Sequence, residues 1–182
     1  MIEEPARERI LNAAEELFAE AGFDATPTSR IAERAGVPKG LVHYYFTRKP
    51  DLLEALVGRL PEERIPVEQI VVAGDVGESL HRLVDVLDGT LERSATLSHL
   101  LWREADTHPA VLDALQARFG RIVSQIRAVI AAALPGDGRH RDIEAAAHLL
   151  ALAVSYRHST ARHAALPGGL RRELDFIAAA LR

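Results

Sequence analysis

Lys39, Gly40, Leu41, His43 and Tyr44 stand close together in the run Lys39-Gly40-Leu41-Val42-His43-Tyr44-Tyr45-Phe46, and their types suit contact with a nucleic-acid duplex. An ammonium, an imidazole and a phenol can reach phosphate oxygens. A leucine can meet a thymine methyl, and a glycine lets backbone approach closely. At about 100° per residue, Val42 and Phe46 share one face of a helix. Gly40, Leu41 and Tyr44 then point the opposite way, with Lys39 and His43 on the flank. An ordinary helical hairpin needs none of those outward choices.

The residues just upstream supply a second short helix and a turn. Ile31, Ala32 and Ala35 form an apolar stripe at i, i+1 and i+4, and Pro27 suits a first helical position with Thr26 able to cap from before it. Gly36 fits the turn because glycine accepts positive φ without a Cβ clash. Val37 can plug the angle between the helices and Pro38 can open the second. Two short helices joined by Ala35-Gly36-Val37 read as a DNA-binding helix-turn-helix.

Matched positions extend on both sides: Arg9-Ile10-Leu11-Asn12-Ala13-Ala14, Leu17-Phe18, Gly22, Thr26, Ile31-Ala32, Ala35-Gly36-Val37, Lys39-Gly40, Tyr45-Phe46 and Lys49. Over about the first 55 residues this resembles the N-terminal domain of the TetR family of bacterial transcriptional regulators. The resemblance implies DNA contacts at Thr28, Ser29, Lys39, Gly40, Leu41, His43, Tyr44, Tyr45 and Lys49. Four positions depart from the common pattern. Pro38 stands where serine is common, Leu41 for threonine, Val42 for leucine and His43 for tyrosine. Two of the departures, Leu41 and His43, fall on contact positions.

The net charge of −4 is unevenly spread. Residues 25–49 carry five cations against one acid, whereas residues 1–24 carry two arginines against seven acids. Positive charge is therefore concentrated where a phosphate backbone would lie. The chain's two lysines, Lys39 and Lys49, are both in that segment. Cysteine is absent, which excludes disulfides and thiolate metal sites. The acidic start Met1-Ile2-Glu3-Glu4-Pro5 lacks the form of a signal peptide. The most apolar stretch, 145–154, is far shorter than the ~20 residues that span a bilayer. The expected location is the cytoplasm, with no membrane association.

Helical periodicity continues along the 182 residues and strand signals are missing. The expected helices cover 7–21, the helix-turn-helix, 51–60, 80–93, 97–105, 109–134, 142–164 and 170–181, about nine in all. Residues 61–78 read as a connector with little helix, and Pro135-Gly136-Asp137-Gly138 and Pro167-Gly168-Gly169 read as breaks. The predicted fold is all-α: a three-helix DNA-binding domain, 1–49, and a helical bundle for effector binding and dimerisation, 50–182. The resemblance places a dimer surface on the last two helices, packed as a four-helix bundle with their symmetry mates. Leu152, Leu174, Ile177, Ala178 and Leu181 are the expected interface residues. Ala145, His148, Leu149, Leu152, Tyr156 and Ser159 line one side of the long helix. That helix is apolar around most of its girth, which calls for neighbours on two sides.

His99, Trp102, Arg103, Phe119 and Tyr156 are candidate contacts for a small apolar or amphipathic effector, named for residue type and not for any motif. Each has a plain structural reading as well: core for Trp102, ion pairing with Glu104 for Arg103, a hydrogen-bonded core histidine for His99. No nucleophile elbow, phosphate-cradling glycine loop or His-Glu-x-x-His pattern occurs, so neither an enzyme nor a cofactor is expected. The reading is a homodimeric repressor on a near-palindromic DNA operator. The alternative is a helical protein-interaction module with a vestigial helix-turn-helix.

Overall fold

The computed structural model describes residues 5–60, 65–134, 142–160 and 169–181. Those residues form ten helices and no strand: α1 (Ala6–Ala21), α2 (Thr28–Ala35), α3 (Lys39–Tyr45), α4 (Lys49–Val57), α5 (Val67–Ile70), α6 (Val76–Arg93), α7 (Ala95–Ala105), α8 (Pro109–Ala133), α9 (Ile143–Thr160) and α10 (Arg171–Ala180). The all-α expectation holds. The connector is more ordered than expected, because Val67–Ile70 makes one helical turn that buries Ile70. Pro135-Gly136-Asp137-Gly138 and Pro167-Gly168 lie outside the described residues.

The chain forms two compact units. The first comprises the described residues of Met1–Leu60 and Thr96–Gln116. On α1, Ile10, Leu11, Ala14, Leu17 and Phe18 recur at the helical repeat and are buried. Ile31, Ala32 and Ala35 of α2 and Val42 and Phe46 at α3 close over them. Leu52, Leu53 and Leu56 of α4 belong to the same core, and so do Leu97, Leu100 and Leu101 of α7 with Val111 and Leu115 of α8. Compactness therefore does not divide the chain at residue 49. The apolar face of α4 needs cover, and α1 supplies part of it.

The second unit comprises the described residues of Pro61–Ala95 and Ala117–Arg182. Leu80, Leu83 and Leu87 of α6, Ile122, Ile126, Val129 and Ile130 of α8, and Ala147, Leu150, Ala151 and Val154 of α9 make its core. Leu174, Ala178 and Leu181 of the α10 region join that core, with α10 lying against α6.

Candidate nucleic-acid interface

The turn between α2 and α3 is built as its sequence demands. Gly36 sits at φ 64°, in the left-handed region, and its N–H bonds to the Glu33 carbonyl while that of Val37 returns to Ala32. Val37 packs against the core beneath the two helices. Thr26 does something other than cap α2. It is fully buried, and its hydroxyl lies 2.8 Å from the Gly22 carbonyl and 3.2 Å from that of Leu17. The donor is turned back to the end of α1, where terminal carbonyls lack partners within the helix. No side chain caps α2 or α3, in keeping with Pro38 at the start of α3.

With Val42 and Phe46 turned inward, α3 exposes Lys39, Gly40, His43, Tyr44 and Tyr45, and half-exposes Leu41. Tyr44 is 78% exposed and stands edge-on to Tyr45, ring centroids 5.2 Å apart. Gly40 meets no atom within 4 Å of where a Cβ would be, so nothing inside the chain requires glycine there. The requirement, if physical, comes from outside. Thr28 and Ser29 occupy the first turn of α2, whose free N–H groups and dipole favour an anion.

The five cations of the segment are not equally available. Arg34 bridges to Glu16 and Glu20 of α1, and hydrogen bonding to Glu20 first among these contacts raises its pKa further. Arg48 closes a capping box with Asp51, whose carboxylate accepts the Arg48 N–H at 2.8 Å. The Lys49 ammonium donates to the carbonyls of Phe23 and Asp24 and lies 4.2 Å from the centre of the Phe23 ring. Burial pushes its pKa down. Among the described residues, Arg30 and Lys39 make no ion pair, and both are exposed. The charge on this face thus rests on those two, and Lys49 is turned into its own chain.

The expected interface residues separate by burial. Leu174, Ala178 and Leu181 are core residues of the second unit and Ile177 packs partly against it, so the α10 stripe is covered by its own chain. Leu152 is exposed, together with Leu149, Tyr156 and His148 on the outward side of α9. Phe176 on α10, 73% exposed, was not singled out by periodicity because a lone outward aromatic interrupts no stripe.

The candidate effector contacts are divided between the two units. His99, Trp102 and Arg103 belong to the first unit, Phe119 and Tyr156 to the second. Trp102 is 48% exposed and therefore neither core nor the wall of an enclosed cavity. Arg103 is held by Glu104 and by the Phe18 carbonyl. Phe119 stands edge-on to His148 at 5.4 Å. No group of three or more histidine, aspartate or glutamate side chains among the described residues could share a metal ion, and no helix among them is long and apolar enough to cross a membrane.

Residues 10–56 match the family of bacterial regulatory proteins known as the tetR family. A transcriptional repressor of Brucella suis, BepR, is 36% identical over 93 residues, half of this chain and 43% of that protein. The chain spans about half the length of the curated relatives it matches. Two solved structures extend the likeness. The SmeT–triclosan complex has 25% identity and a TM-score of 0.70 over 97% of this chain and 91% of SmeT. The transcriptional regulator SCO7518 from Streptomyces coelicolor has 26% identity and a TM-score of 0.66 over 97% and 98%. The helix-turn-helix residues, the all-helical fold and these likenesses agree: residues 10–56 match the tetR family of bacterial regulatory proteins, and the chain shares the fold of solved transcriptional regulators.

Proposed function

We propose that this chain is a DNA-binding transcriptional repressor that occupies a near-palindromic operator as a homodimer and leaves it when a small effector binds. The outward face of α3 carries the reading. Gly40 has no internal reason to be glycine, and beside it stand an exposed tyrosine pair and an unpaired Lys39. That combination suits a major groove, where close approach, methyl contact and phosphate contact are all needed. The relatives named above include a repressor, BepR, which supports the sign of regulation.

The second unit supports dimerisation. Leu149, Leu152 and Tyr156 recur at the helical repeat on α9 and are exposed among the described residues. A two-fold axis would place the same face of a second copy against them. Two recognition helices would then enter successive major grooves about 34–36 Å apart. An effector need only bind better to the form with the wrong spacing, and its differential affinity sets the size of the shift. The SmeT structure holds triclosan, an instance of an apolar small molecule in a related fold. Tyr156 and Phe119 remain the proposed contacts in the second unit, with Thr28, Ser29, Lys39, Gly40, Leu41, His43, Tyr44 and Tyr45 as proposed DNA contacts.

Enrichment of duplexes from a randomised pool tests this. The expected product is a near-palindrome whose half-sites are one or more helical turns apart. Recovery of no sequence above background, from protein that is folded and dimeric, would overturn the proposal in favour of a protein-interaction module.

A further inference from the structure

The last turn of α1 and the loop after it are held by two cations that arrive from other helices. Lys49, at the start of α4, donates to the carbonyls of Phe23 and Asp24. Arg103, on α7, donates to the Phe18 carbonyl at 3.0 Å from one guanidinium nitrogen and to Glu104 at 3.2 Å from another. Arg103 adds a second donor to the Phe18 carbonyl, which already accepts the Gly22 N–H in the last turn of α1, at the negative end of the helix dipole, and Lys49 reaches carbonyls of the loop just beyond it. Between them lies Phe23, edge-on to Phe18 at 5.1 Å and to His108 at 4.6 Å, with the Lys49 ammonium over its ring. Gly22 turns the chain at φ 87°, and Thr26 ties the far side of the loop back to Gly22 and Leu17.

We propose that Lys49 and Arg103 are positioning residues for DNA reading, which fix the loop from Gly22 to Pro27 and thereby the angle at which α2 and α3 leave α1. This rests on the DNA-reading role proposed above. Lys49 then acts through its own chain and not as a phosphate contact, and α7 becomes part of the reader although it stands some fifty residues after α3. The withdrawal of the ammonium from water, which lowers its pKa by desolvation, accords with that role. So does the packing of Leu97, Leu100 and Leu101 into the core that α1 shares. A small rotation of α7 would pull on the Phe18 carbonyl directly, which gives the loop a mechanical link that α4 alone does not supply.

Three variants of the full chain test it: Lys49→Met, which keeps the stem and loses the charge, Lys49→Arg, and Arg103→Gln. Two quantities are measured: hydrogen exchange of amides 22–28 without DNA, and salt-dependent affinity for a duplex enriched by the wild type. Lys49→Met and Arg103→Gln should each speed exchange in 22–28 several-fold while α6 and α9 stay protected. Affinity should fall roughly tenfold, the scale of one charge-assisted hydrogen bond, with the slope of log affinity against log salt unchanged. Lys49→Arg should restore most of both. A slope lower by about one counterion in Lys49→Met with unaltered exchange would make Lys49 a phosphate contact and overturn the proposal. Arg103→Gln that changes neither quantity would overturn the part assigned to α7. Failure of the wild type to bind any duplex would instead sink the DNA-reading role, and exchange alone would then decide whether Lys49 and Arg103 fix the loop from Gly22 to Pro27.

Discussion

Two faces of this chain leave large apolar or aromatic side chains uncovered, and they differ in what accompanies them. On α3, Tyr44 and Tyr45 are set beside Lys39, Gly40 and His43, with Arg30 on the neighbouring α2. On α9, Leu149, Leu152 and Tyr156 have for company Ala145 and His148, and the face carries no cation until Arg157, which is bound to Asp88. A face that reads a polyanion must place charge and backbone near it while burying little. A face that joins two proteins must above all remove apolar area from water. Under the proposed function the same exposed tyrosine therefore means different things on the two helices. Its neighbours decide which.

The difference can be broken most forcefully on α9. Leu152→Glu would bury an unpaired carboxylate in the proposed seam, at a cost of about 2–4 kcal/mol to the dimer. Sedimentation should show a monomer that keeps its helical circular dichroism. A variant that stays dimeric would place the interface elsewhere. Leu174→Glu sharpens the contrast. Because Leu174 is core, that variant should lose its fold outright and not merely its partner.

Tyr44→Ala probes the other face. If the phenol meets bases, affinity for the enriched duplex should fall by about 1–3 kcal/mol while random-sequence affinity holds. Equal losses on both would assign Tyr44 to the phosphate backbone. Gly40→Ala should separate stability from function. The new methyl has open space, so replacing a helical glycine should raise stability by about 0.5–1 kcal/mol in a thermal melt, while DNA binding weakens. A variant that is stabler and binds equally well would remove the argument from close approach.

The smallest effect is expected at Glu8. A hydrogen bond from Arg59, first among its contacts, holds the Glu8 carboxyl below the usual carboxylate range. A lowered folded-state pKa adds stability that is present above the unfolded value and is lost as pH falls through the folded one. Arg59→Gln should therefore flatten the acid-side decline of the melting temperature slightly, since Glu8 is substantially exposed. An acid limb identical to that of the wild type would remove the pair from the balance.

The reader was legible because its constraints are local. Ile31, Val42 and Phe46 follow from a helical repeat over a few residues, and Gly36 from a turn that only positive φ closes. Thr26 was misread for a reason equally local. A hydroxyl at a helix junction can face the free N–H groups ahead or the free carbonyls behind, and the path of the loop decides. The rest depended on partners that are distant in sequence. The stripe Leu174, Ala178 and Leu181 was visible as a buried face, but periodicity does not say what buries it, and α6 of the same chain does. Trp102 is on a helix with apolar residues on more than one side, and only the fold shows that Leu97, Leu100 and Leu101 face inward while the indole stays outside. Lys49 has the right charge in the right segment, yet its direction was set by carbonyls more than twenty residues earlier.

The proposal that the outward face of α3, with its unpaired lysine, meets DNA can be checked by titrating salt against the binding of wild type and Lys39→Ala to the enriched duplex and to random DNA. The wild type should show steep salt dependence and a preference for the enriched duplex. In Lys39→Ala the slope should be lower by about one counterion on both duplexes, with the preference retained. Binding that is insensitive to salt, or a slope untouched by the loss of Lys39, would contradict it.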